Sequence, residues 1–203
     1  MRILLQWIAL RRDPPDPCTA GAENQGPTLQ LLSCDRYKGY FDRVYLFGDD
    51  KSMPLAERMS EFLCAGEGYP EAEAVHIDVD DVTDYGLLYS RMTDACGRIA
   101  KQLAGQEPEF HVHVSPGTPQ ASTVWFVMAK AGDIEAKLLQ TVPPDIQKET
   151  GLPPVREVDL DLGHFPLIQK LENENFQLRK ALRETVSLGR LRTRSRRVDF
   201  GTF

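Results

Sequence analysis

"HVHVSPGTPQASTVWF", residues 111–126, decides the fold. A short alternation of His and Val stops on a Pro-Gly pair, and the chain restarts as an apolar helix. Gly117 permits a positive φ and a close backbone approach, and Pro116 stiffens the way into it. Thr118 before Pro119 is the pattern of an N-cap followed by proline at the first helical position. A strand that turns straight into a helix is half of a strand-helix-strand unit, and the rest of the chain repeats it.

Working outward, "ILLQWIAL" (3–10) and "RVYLFGD" (43–49) are near-continuous apolar runs, as expected of strands covered on both faces. "EAVHIDV" (73–79) and "EFHVHVS" (109–115) alternate more, and "EAKLLQT" (135–141) and "VREVDLDL" (155–162) supply two further strands. Between them lie helical stretches at 27–34, 54–66, 85–105 and 119–132. This order predicts an α/β domain over residues 1–162, a Rossmann-like, doubly wound, mainly parallel sheet. Residues 142–154, "VPPDIQKETGLPP", read as a loop into a last strand that could pair antiparallel at an edge.

The domain is expected to end near Gly163. Residues 163–189 read as a helix carrying Ile168, Leu171, Asn175, Leu178 and Leu182 at spacings of three and four. Two readings fit that helix: a short parallel coiled coil with Asn175 paired across the seam, or an amphipathic helix folded onto its own domain. The tail, 190–203, carries Arg190, Arg192, Arg194, Arg196 and Arg197. It reads as a basic, disordered end, with nucleic-acid contact as the alternative.

At 203 residues, 41% of them apolar, the chain can bury one core with an appendage. Its net charge of −6 argues against coating nucleic acid along the whole surface, so any such contact is local. No apolar run is long enough for a bilayer span, and "MRILLQWIAL" reads as a first strand rather than a signal peptide; a cytoplasmic location is expected. Cys18, Cys34, Cys64 and Cys96 are scattered, so reduced thiols and no metal or other cofactor are expected. His111 and His113 share one strand face, where they read as histidines of a polar face rather than as metal ligands.

In such sheets ligands bind beyond the carboxyl ends of the strands, so the informative residues follow each strand. At the turn, backbone N–H groups and the positive helix end suit a phosphate or a polar base edge, and Ser115, Gly117, Thr118 and Gln120 surround it. The turn lacks the Lys of a Walker A loop and the further glycines of a dinucleotide fingerprint, against triphosphate hydrolysis and ordinary NAD binding. The segment after the first strand, 11–28, is long for a connection where roughly two to six residues are typical. There Arg11 and Arg12 could meet phosphates, Asp13 and Asn24 could read base or ribose groups, and Gly26-Pro27-Thr28 starts a second capped helix. Gln140 and Thr141 supply a third wall. Each of these residues, taken singly, also fits a solvated loop.

The helix 119–132 is apolar on nearly all sides and so needs two partners. One is the sheet. The other is either the same helix of a second chain, with Trp125 and Met128 in a dimer interface, or another helix of the same chain.

Taken together, "HVHVSPGTPQAS", "ILLQWIALRRDP", "GPTLQLL" and "AKLLQT" resemble a CARF (CRISPR-associated Rossmann fold) domain over roughly residues 1–162. The likeness extends to the amino-terminal sensors of sigma-54 enhancer-binding regulators, including the regulator of the RNA-repair operon. The resemblance implies a homodimer binding a cyclic oligoadenylate across its two-fold axis, or alternatively an RNA end with a 2',3'-cyclic phosphate. It maps the ligand turn onto Ser115, Gly117, Thr118 and Gln120 and the first-strand loop onto Leu10 through Asp13. Residues 165–189 are similar to the linker before the AAA+ motor of those regulators, which implies an effector or AAA+ partner through that helix; no Walker motif follows.

Three functions are compatible with this reading. The first is a sensor that passes a change of dimer geometry to its C-terminal helix. The second is a slow, metal-independent nuclease that cleaves its own cyclic ligand, with Thr118, Ser115 or Arg12 stabilising charge, although no general base is evident. The third is an interaction protein that uses the helix and basic tail.

Overall fold

The computed structural model describes residues 1–21 and 25–159. Expectations placed on Asn24, on the domain end at 162, on Ile168, Leu171, Asn175, Leu178 and Leu182, and on the basic tail lie outside the described residues. Within them the order is β1 (Arg2–Trp7), α1 (Gly26–Ser33), β2 (Arg43–Gly48), α2 (Met53–Ala65), β3 (Glu71–His76) and α3 (Tyr85–Gln102), then β4 (Glu109–His113), α4 (Pro119–Ala131), β5 (Ala136–Thr141), α5 (Pro144–Thr150) and β6 (Val155–Val158). The six strands form one sheet in the order β3-β2-β1-β4-β5-β6. β1 to β5 run parallel, and β6 pairs antiparallel with β5 through Leu138↔Val158 and Thr141↔Val155. This is the doubly wound α/β arrangement that the alternation of strands and helices implies.

The pleat sends alternate residues of β1 to opposite faces. Ile3, Leu5 and Trp7 join Leu88 and Met92 of α3 and Val124, Trp125 and Met128 of α4 in one core. Leu4 and Ile8 join Leu29, Leu31 and Leu32 of α1 and Leu55, Met59 and Leu63 of α2 in the other. Both faces of the central strands are covered, which is why their sequences read as unbroken apolar runs.

Two expectations are corrected. Trp125 and Met128 are wholly buried within their own chain, so neither side chain is available to a partner. Trp125 meets Phe47 edge-on at 5.1 Å between ring centres, and α3 lies against α4 as its second neighbour. Residues 142–154 contain a helical stretch, α5, with proline at its start, Asp145 in its first turn, Lys148 in its last and Gly151 beyond it at φ 70°. Those are ordinary start and stop signals, and the flanking prolines that suggested a loop delimit the helix instead.

Candidate ligand site at the strand-order reversal

Strand order reverses between β1 and β4, because the chain leaves β1 towards β2 and leaves β4 towards β5. At that point the connections after β1 and β4 splay apart and open the crevice that doubly wound folds use for ligands. Two walls flank it, the β4–α4 turn and the β1–α1 loop.

The turn is seated on Trp7. Gly117 has φ +92°, and a Cβ there would lie 2.8 Å from Cβ of Trp7 and 2.9 Å from its ring, so backbone conformation and close approach both require glycine. Thr118 caps α4, its Oγ1 accepting from the Ala121 N–H at 3.1 Å, and the Ser122 hydroxyl donates to the Val114 carbonyl at 2.7 Å. Among the described residues the N–H groups of Gly117, Thr118 and Gln120 have no hydrogen-bond partner. They sit at the positive end of a 13-residue helix.

The loop reaches the turn through Arg12, whose guanidinium donates to the Ser115 carbonyl. Arg11 is exposed and has no side-chain partner among the described residues. The loop is itself pinned: Asp16 caps a short 3-10 turn at Pro17–Thr19, and Arg58 of α2 donates to the Pro15 carbonyl at 3.2 Å. Gly26, at φ +66°, passes so close that a Cβ would lie 2.5 Å from the Arg12 carbonyl oxygen.

Asp13 does not face the crevice. It is 4% exposed, and its carboxylate accepts from the Ala9 N–H at 2.8 Å and the Thr28 N–H at 3.0 Å, tying the loop to the start of α1. Burial pushes its pKa up to about 6 against those hydrogen bonds. Gln140 is also placed elsewhere: its Oε1 accepts from Nε and Nη2 of Arg156 on β6 at 3.1 and 2.9 Å. Thr141, one residue on and therefore on the opposite sheet face, is buried and joined to the turn, its N–H donating to Ser115 Oγ at 2.8 Å. Ser115, Gly117, Thr118, Gln120, Arg12 and Thr141 are thus brought together, with Arg11 on the same loop, while Asp13 and Gln140 serve other contacts.

Both histidines of β4 are buried rather than set on a polar face, at 1% for His111 and 0% for His113. His111 packs edge-on against Tyr40 and Phe41, with ring centres 5.5 and 5.3 Å away, and burial lowers its pKa. His113 Nδ1 lies 2.8 Å from Oε1 of Gln6 and its Nε2 lies 3.2 Å from Oγ1 of Thr141. Complete burial pulls its pKa down to about 3, so the ring is neutral at physiological pH and closed to a ligand as a general base. Gln6 and Thr28 complete this buried set, Gln6 Nε2 donating to Thr28 Oγ1 at 2.7 Å. Sequence reasoning missed it, although Gln6 is the one polar residue in "ILLQWIAL".

A glycine-dependent, anion-suited turn facing an arginine-bearing loop across the reversal point marks this as a Rossmann-like, doubly wound α/β domain with its crevice at the switch point. The chain belongs to the family described as regulator of RNA terminal phosphate cyclase (RtcR), whose model matches residues 19–184. It is 27% identical over 143 residues to the transcriptional regulatory protein RtcR of Escherichia coli (strain K12), a match spanning 70% of this chain and 26% of that protein. In fold it is similar to Enterococcus italicus Csm6 bound to cyclic hexa-2'-fluoro-hexa-dAMP, with a TM-score of 0.64 and 15% identity over 92% of this chain and 49% of the other. The chain therefore spans about a quarter of the regulator and half of the Csm6 chain it matches. Among the described residues no helix is long and apolar enough to cross a membrane.

Proposed function

We propose that this chain is the ligand-sensing module of a transcriptional regulator and that its crevice takes a short ribonucleotide phosphate. The observation that carries the reading is the set of N–H groups at Gly117, Thr118 and Gln120, left without partners at a helix start beside the Arg11 and Arg12 loop. The family relation favours an RNA end bearing a 2',3'-cyclic phosphate, since its members are described as regulators of RNA terminal phosphate cyclase. A cyclic oligoadenylate, first in the sequence-based ranking, becomes the second reading; the bound cyclic ligand of the Csm6 relative in fold supports it.

The proposed module works as a homodimer. With Trp125 and Met128 inside the chain, the dimer contact moves to the outer stripe of α4, where Pro119, Thr123 and Val127 are exposed at spacings of four. Two copies joined there set two glycine turns near one axis, and residues 163–189 carry the signal to an effector or AAA+ partner.

Thermal melting with a ligand panel tests the reading. RNA trinucleotides ending in a 2',3'-cyclic phosphate raise the melting temperature, matched RNAs ending in a 3'-hydroxyl do not, and Thr118→Ala or Gly117→Val reduces the rise. Unchanged melting with cyclic-phosphate RNA and with cyclic tetra- and hexa-adenylate alike would sink it; a rise with the rings alone selects the second reading.

A further inference from the structure

A line of buried side chains runs beneath the crevice from one wall to the other. We infer that Thr28, Gln6, His113 and Thr141 are positioning residues that form a two-state hydrogen-bond chain, coupling the β4–α4 turn to the β1–α1 loop. The coupling of the walls stands on geometry; its use by a ligand rests on the site reading above.

Every member is tied to the next. Ser115 Oγ accepts from the Thr141 N–H at 2.8 Å, Thr141 Oγ1 lies 3.2 Å from His113 Nε2, and His113 Nδ1 lies 2.8 Å from Gln6 Oε1. Gln6 Nε2 donates to Thr28 Oγ1 at 2.7 Å, and Asp13 accepts from the Thr28 N–H at 3.0 Å. Gln6 and His113 are register partners on the adjacent strands β1 and β4, so the chain crosses the reversal point where the two walls separate.

The chain has a direction. The Gln6 amide nitrogen donates to the Thr28 hydroxyl, so the Gln6 carbonyl oxygen is the end that faces His113. The Gln6 carbonyl then accepts from Nδ1–H of His113, which leaves Nε2 to accept from the Thr141 hydroxyl. The three donors, on Thr141, His113 and Gln6, point from the turn towards Thr28. One alternative order keeps each internal bond: the Gln6 amide turns over and the imidazole proton moves from Nδ1 to Nε2. Thr28 then donates to Gln6 instead of accepting from it, and the Thr141 hydroxyl accepts from His113 Nε2–H and turns its own proton away from the ring. The two orders keep the same three contacts, Thr28–Gln6, Gln6–His113 and His113–Thr141, and present themselves to the two walls through the direction of the Thr28 and Thr141 hydroxyls. That is the form a bistable coupling element takes, since a bond made or lost at one end selects the order seen at the other.

Nuclear magnetic resonance of the full chain, labelled with nitrogen-15, tests this directly. In the unmodified protein His113 is expected as the neutral Nδ1–H tautomer. Thr141→Val removes the hydroxyl at one end while keeping its shape. It is expected to shift the His113 ring nitrogens and, across the sheet, the Thr28 and Ala9 amides that end on Asp13. In a Gln6→Leu, His113→Leu background the response of Thr28 and Ala9 to Thr141→Val is lost. An Nε2–H tautomer in the unmodified protein, or Thr28 and Ala9 amides indifferent to Thr141→Val, overturns the inference. The tautomer and the single variant decide it even where the double variant fails to fold. An RNA trinucleotide with a 2',3'-cyclic phosphate is then added to the unmodified protein, with shifts expected at Gly117 and Thr118 and also at Thr28. Shifts at the turn without shifts at Thr28 overturn the ligand's use of the chain. No shift at the turn counts against the RNA-end reading of the site, while the Thr141→Val result still decides the coupling.

Discussion

The two faces of the sheet are buried to the same depth but differ in kind. Against α3 and α4 lie Ile3, Leu5, Trp7, Tyr45, Phe47, Val112 and Leu138, an apolar layer closed by Trp125 and Met128. Against α1 and α2 the same strands interrupt their apolar residues with Gln6, His111, His113 and Thr141, and the loop adds Asp13. An apolar layer is stabilised by each residue separately, in proportion to area removed from water. A polar layer is tolerable where its groups find partners, because an unpaired buried donor or acceptor costs about 1–3 kcal/mol; Gln6, His113 and Thr141 are paired, while Nδ1 of His111 is left without a partner. Stability alone gives no reason to gather Gln6, His113 and Thr141 at the carboxyl ends of β1, β4 and β5. Their position under the crevice does, since paired polar groups fix orientation more sharply than apolar contacts.

The largest expected effect is on the apolar face. Trp125→Ala should cost about 3–5 kcal/mol of folding stability, measured by urea unfolding, because it empties the centre of the α3–α4 core. Were Trp125 a contact between chains, the variant would weaken dimerisation and leave the stability of the monomer intact.

On the polar face the contrast is sharpened by pH. The carboxyl of Asp13 titrates at about 6 in the fold against an ordinary 3.8, so its contribution is present below about 3.8 and lost as pH rises through 6. The imidazole of His113, at about 3 against 6.5, contributes stability that is present above about 6.5 and lost as pH falls towards 3. Between pH 4 and 6 the two slopes oppose, each at most about 1.4 kcal/mol per pH unit. Relative to the unmodified protein, Asp13→Asn should therefore make stability fall more steeply on acidification across that window, and His113→Gln should make it fall less or rise. Urea melts from pH 4 to 7 measure both, and parallel curves for all three proteins would contradict the burial of these groups.

The smallest effect on stability belongs to the rim. Arg11→Ala should leave unfolding within about 0.5 kcal/mol of the unmodified protein, because its exposed side chain makes no hydrogen bond or ion pair among the described residues. The same change should reduce the rise in melting temperature given by cyclic-phosphate RNA; an undiminished rise would remove Arg11 from the site.

Much of this was legible residue by residue. All six strands fall where apolar runs and alternation placed them, the antiparallel edge strand included, and Thr118 caps α4 as its sequence implies. Gly117 was readable as a turn glycine, but its contact with Trp7 joins residues 110 positions apart, and no local pattern carries it. Asp13 follows two arginines in a polar stretch and reads as a ligand contact; only the arrival of Thr28 and Ala9 at its two oxygens turns it inward. The apolar circumference of α4 stated correctly that the helix has two partners, without saying that the second is α3 of the same chain.

The sequence by itself determined the alternation of strand and helix, the Thr118 cap of α4 and the long loop after the first strand, because each of these follows from side chains within a few positions of one another; the expected local cap of α1 is absent, and Asp13 takes the Thr28 N–H from fifteen positions away. Only the tertiary structure decided which polar residues face the crevice and which face inward. Adjacent strands bring Gln6 beside His113, and α1 brings Thr28 over both, so each group's role is set by a partner that the chain supplies from far away. Burial then removes water as an alternative partner, and the hydrogen bonds that remain fix which way each of those groups points.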